Sequence, residues 1–78
     1  MNAYPRVYIR LNKADGIYRV QSCMVWLDTN LAWFLGSEQF YESTEAAFVD
    51  MQQRAMNFLW ERGRTETERE VNWKLESE

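Results

Sequence analysis

The sequence predicts an α+β domain in the order β-β-β-α-(β). A three-stranded antiparallel meander, extended to four strands if the tail pairs, carries one long helix packed on one face. Two observations lead to it. Apolar and polar residues alternate between Arg6 and Leu27, the two-residue period of half-buried strands. From Ser43 to Gly63 the period changes to three and four, the spacing of one helical face. A third observation sets the scale: 78 residues, positions 1–78, make a single domain with a core near the lower practical limit.

In the first strand Val7, Ile9 and Leu11 alternate with Arg6, Tyr8 and Arg10. Pro5 stands ahead of it, where it breaks no ladder. Asn12 to Gly16 is a turn, because Asp15 and Gly16 are turn formers and Gly tolerates positive φ. A long strand follows from Ile17 to about Leu27. A loop of Lys13 to Gly16 sets Leu11 opposite Tyr18 and Ile9 opposite Val20. That register sends Val7, Ile9, Leu11, Tyr18, Val20, Met24 and Trp26 to the inner face, whereas a one-residue slip would bring Arg19 inside. Asp28-Thr29-Asn30 turns the chain again, and Leu31 to roughly Tyr41 returns as the third strand. Trp33 then lies opposite Trp26 and Leu35 opposite Met24. Gly36 marks a bulge or a close backbone contact.

Ser43 or Thr44 caps the helix, since a hydroxyl there accepts a bond from an orphaned backbone N–H. Glu45 suits the positive end of the dipole, Arg62 the negative end, and Gly63 is a left-handed stop. Ala47, Phe48, Met51, Ala55, Phe58 and Leu59 share the face that meets the sheet. Val49, Met56 and Trp60 form a second stripe. It is either covered by the C-terminal segment or a partner surface, for which Trp and Met are favoured residues. In the tail, residues 64–78, Val71, Trp73 and Leu75 alternate as a short edge strand would. Thr65 and Glu68 have capping-box spacing, and Glu70 with Lys74 is a helix pair, so a helix remains the alternative.

Composition bounds the chemistry. With 46% hydrophobic and 15% aromatic residues, the chain is too apolar for a disordered acidic segment. It has no apolar run of membrane-spanning length, and MNAYPRVYIR lacks the apolar region of a signal peptide, so a cytoplasmic protein without membrane contact is expected. A single Cys excludes an intrachain disulfide, and Cys23 reads as a small packed hydrophobe. The absence of His removes the usual general base, the Ser-His and Cys-His dyads and most zinc sites. The glycines are too scattered for a phosphate-cradling loop. The carboxylates lack the spacing of an acid–base pair or a calcium loop. No enzyme activity, cofactor or metal is expected.

The formal charge is −3, unevenly placed. Through Leu27, Arg6, Arg10, Lys13 and Arg19 face only Asp15, a balance of +3. From Arg64 onward, Glu66, Glu68, Glu70, Glu76 and Glu78 oppose Arg64, Arg69 and Lys74, a balance of −2. The hairpin is locally basic and the tail acidic, an asymmetry that steers partners.

A single helix covers one sheet face. The expected register puts Arg6, Tyr8, Arg10, Arg19 and Gln21 at the hairpin end of the other face, and Cys23, Val25, Leu27, Ala32 and Phe34 toward the second turn. An uncovered apolar cluster beside an aromatic–cationic patch marks an interface. Three readings follow. The first is a protein-binding module, docking on another protein or on a second copy through Arg6, Tyr8, Arg10, Arg19, Val25, Leu27 and Phe34, with Trp60 on the helix as a further contact. The second is a nucleic-acid binder using Arg6, Tyr8, Arg10 and Arg19, against which the overall acidity weighs. The third is a structural domain whose tail folds over the patch. In general type the chain is similar to small acidic α+β proteins carried by phages and other mobile elements, many of which bind and block a host protein. The likeness is one of size, charge and class rather than of motif, and it implies an inhibitor or adaptor role.

Overall fold

The computed structural model describes residues 4–36 and 39–77. It is α+β, with a mixed sheet of strands β1 (Arg6–Ala14), β2 (Ile17–Asp28), β3 (Leu31–Phe34), β4 (Phe40–Tyr41) and β5 (Asn72–Ser77), and one helix, α1 (Thr44–Glu61). The sheet order is β3-β2-β1-β5, and β4 pairs with β2. The predicted meander is present, but the tail strand lies parallel to β1, from Arg6 opposite Asn72 to Leu11 opposite Ser77. No described helix is long and apolar enough to cross a membrane.

Two local features revise the expected register. Ala14 pairs with Ile17, so the hairpin loop is Asp15-Gly16 alone. Both residues have positive φ, 54° and 77°. That is the backbone demand of a tight hairpin turn whose twist matches the strands, and Asp-Gly is a sequence suited to it. Leu11 therefore faces Val20, not Tyr18. The second feature is a bulge: Arg10 pairs with Ser22 while Leu11 pairs with Val20, leaving Gln21 extra. One extra residue exchanges the two faces of everything beyond it. Cys23 and Val25 consequently point inward and are fully buried, and Leu27 packs against the core. Met24 and Trp26, expected inside, point outward. Trp33 faces Val25 rather than Trp26, and Phe34 faces Met24.

The expected third strand, Leu31 to Tyr41, is two pieces along the same edge of β2. Leu35 N–H still donates to the Cys23 carbonyl (2.8 Å), and Val20 N–H to that of Gln39 (3.2 Å). Ladder pairing lapses opposite the bulge, where Gly36 takes φ 37°. Ser37 and Glu38 of that expected strand lie outside the described residues.

The helix matches its signals. Ser43 Oγ accepts from Ala46 N–H (3.1 Å). At the other end Gly63, φ 76°, donates to the Trp60 carbonyl and Arg64 N–H donates to that of Leu59. Both bonds satisfy carbonyls that the helix end leaves open. Ala47, Met51, Ala55, Met56 and Leu59 bury against Val7, Ile9, Leu11, Val20, Cys23 and Val25. Each large side chain so removed from water contributes about 1.5–3 kcal/mol. After the helix, Thr67 and Glu70 form the capping box of a 3₁₀ turn (Glu68–Glu70), two residues later than the expected Thr65–Glu68 pair. Val71 is buried, and Trp73 meets Phe48 edge-on at 5.7 Å, so the tail closes the inner layer.

Candidate functional site

All the helix packing falls on the inner face of the sheet. The outer face is read from the register. On β1 it carries Arg6, Tyr8, Arg10 and Asn12; their partners on β2 are Trp26, Met24, Ser22 and Arg19. Strands β3 and β4 add Ala32, Phe34 and Phe40, and β5 adds Asn72, Lys74 and Glu76. Phe34 and Phe40 are 64% and 65% exposed. Tyr8, Met24 and Trp26 are half-buried by their neighbours on the same face.

Those neighbours are cations lying on rings. The Arg6 guanidinium sits 4.6 Å from the Trp26 ring centre and 5.7 Å from that of Tyr4. Lys74 Nζ stands 5.4 Å from the Tyr8 ring centre. Such contacts hold a flexible cation flat against the sheet while leaving its charge in solvent. Arg10 and Glu76 form an ion pair at 3.6 Å between half-exposed side chains, a geometry that stabilises little. Hydrogen bonding to Glu76 holds the Tyr8 hydroxyl above the ordinary tyrosine range. Among the described residues Arg6, Arg19 and Lys74 make no ion pair. Four cations against Glu76 and the Asp15 at the hairpin turn give the face a balance of +2, which leaves −5 for the rest of a −3 chain.

At the hairpin end the face dips into a shallow hollow of about 380 Å³ lined by Asn12, Ala14, Asp15, Ile17, Arg19 and Phe40. It is continuous with the aromatic–cationic strip and shares Arg19 with it.

Of the expected partner-binding residues, the structure gathers Arg6, Tyr8, Arg10, Arg19 and Phe34 on this face. Val25 and Leu27 do not belong there, because the bulge at Gln21 turns them into the core. Trp60 lies apart on the helix, 49% exposed, its indole N–H directed to the Glu66 carbonyl (3.4 Å). The second helical stripe divides: Met56 is core, while Val49 and Trp60 are exposed. Met24, Trp26, Phe40 and Lys74 were missed as face residues. The bulge that exposes the first two has no residue signature, and the last depends on β5 pairing with β1.

Cys23 is buried, and desolvation pushes its thiol up to about 11. Among the described residues no cluster of His, Cys, Asp and Glu could hold a metal ion. Comparison with known proteins adds no relative: no family model, no curated protein and no solved structure matches the chain.

Proposed function

We propose that this chain is a non-enzymatic binding module that docks on another protein through the outer face of its sheet, as an adaptor or inhibitor. The observation behind this reading is the outer face itself, which no element among the described residues covers. Tyr8, Met24, Trp26 and Phe34 are interleaved there with Arg6, Arg10, Arg19 and Lys74, the residue types that form interface cores and their rims. An uncovered layer of this kind is uncommon in a domain with no partner.

A second reading is supported by one specific observation. Aromatic side chains on neighbouring strands of an open sheet, with cations beside them, are how single-stranded nucleic acids are stacked and held. Against it stands the net charge of −3, since phosphate binding draws on a positive footprint.

Phe34→Glu separates the readings. A carboxylate buried at an apolar contact is costly, yet at an exposed position of the free domain it stays in water. In a native-source extract passed over immobilised wild type and Phe34→Glu, a protein held by the first and lost from the second is expected, with unchanged circular dichroism. Retention indifferent to Phe34→Glu, or a retained species destroyed by ribonuclease, overturns the protein-docking reading.

A further inference from the structure

The outer face is charged in a way that selects its occupant. Arg6, Arg19 and Lys74 make no ion pair among the described residues, although acidic side chains outnumber basic ones twelve to nine in the chain. Their separation from those acids leaves an attraction to be satisfied from outside. A second copy is poorly suited to supply it. A twofold contact sets the same patch against itself, so four cations and two carboxylates would meet an identical set, and the excess of like charges across the interface costs free energy.

The hollow at the hairpin end adds shape to the charge. Its apolar wall is Ile17 and Phe40, and its polar groups are Asn12 and Arg19, with the exposed Asp15 at the turn. A volume of about 380 Å³ lies at the small end of the range for ligand pockets, and the hollow is shallow enough to admit a side chain presented by another protein.

We infer that the face receives an acidic stretch of another protein, not a second copy, with a partner carboxylate against Arg19 and an adjoining apolar side chain against Ile17 and Phe40. The inference rests on the reading of the outer sheet face as a docking surface. It adds the partner's charge and the point where it anchors.

Selection of short random peptides displayed on phage against the full-length chain tests it. Enrichment of peptides combining Asp or Glu with an aromatic or aliphatic neighbour is expected. Their affinity, measured by fluorescence anisotropy on a synthetic copy, should fall about tenfold or more in Arg19→Glu and in Phe40→Ala, and stay unchanged in Trp60→Ala. Enriched peptides without acidic residues, or no enrichment, overturn the inference. So does binding lost with Phe34→Glu but kept with Arg19→Glu, which leaves the docking face standing. Peptide binding indifferent to both changes places the site elsewhere and overturns both readings. Sedimentation of the wild type supplies another arm: a dimer that Phe34→Glu disperses makes the occupant a second copy. Tight binding of oligouridylate that falls steeply with added salt makes it nucleic acid.

Discussion

Val25 and Trp26 are neighbours in sequence and point to opposite sides of the sheet, so one substitution made at each reads out the register. Val25 is fully buried among the residues that meet α1. An aspartate there has no cationic partner, and an uncompensated buried charge costs about 3–5 kcal/mol, a large share of a small domain's stability. Val25→Asp should therefore be largely unfolded by circular dichroism. Trp26→Asp removes a half-buried ring from the outer face and the Arg6 contact on it, worth about 0.5–1 kcal/mol at an exposed site. It should melt cooperatively and only a little earlier than wild type. The reverse ranking would mean that the faces are exchanged.

Among the elements, the irregularities of β2 and of the edge it supports are coupled in space. The bulge at Gln21 lies across from the gap between β3 and β4, and Gly36 sits at the start of that gap. At φ 37° a side chain is disfavoured, and a Cβ on Gly36 would run into the Phe34 ring. Gly36→Ala should cost about 1–2 kcal/mol from the backbone alone. Repacking of the Phe34 ring adds to that, so the penalty measured in urea should shrink in a Phe34→Ala background. Equal penalties in both backgrounds would show that the ring does not lie over Gly36. These elements were unequally legible. The helix could be read to within a residue or two, because its cap, stop and stripe are local signals. The inner positions of β1, and Val20 on β2, also followed from alternation. Beyond Gln21 the same alternation misled, since a bulge changes the face count without changing residue type. The direction of β5 was hidden for another reason: alternation identifies a strand but not its neighbour. Of the expected face, Arg6, Tyr8, Arg10, Arg19, Ala32 and Phe34 thus survived, while Cys23, Val25 and Leu27 were exchanged for Met24 and Trp26.

For the molecule as a whole, the titrating groups define a window of stability. Hydrogen bonding from Tyr41 holds the Asp50 carboxyl below the usual range, with Arg54 assisting, and Arg64 does the same for Glu66. A carboxylate favoured in the folded state contributes stability above its unfolded value, and that contribution is lost as pH falls through the folded one. At the alkaline end the signs invert. Burial, followed by Asp50, pushes Tyr41 up to about 12, and burial pushes Cys23 up to about 11. Both are protonated in the folded chain, so their contributions hold below unfolded values of about 8.5 for Cys and 10 for Tyr and fade above them. Urea midpoints should be level between about pH 5 and 8 and fall on either side. Tyr41→Phe should flatten the alkaline fall between about pH 10 and 12 and also reduce the acid loss, because Asp50 no longer has its donor. An alkaline limb unchanged by Tyr41→Phe would assign that loss to other groups.

The parallel seating of β5 on β1 has a consequence for how the chain is made. Strand β1 is central in the sheet, yet its two neighbours are separated by most of the sequence, and Arg6 meets Asn72 only after 66 intervening steps along the chain. During synthesis the hairpin of β1 and β2 can form early, but one flank of β1 stays open until positions 72–77 leave the ribosome. An open strand edge on an incomplete chain is a template for pairing with other chains. Contacts this distant in sequence also slow the final closure. A nascent chain arrested before Asn72 should therefore lack the protease resistance of the released protein and acquire it only when β5 is available.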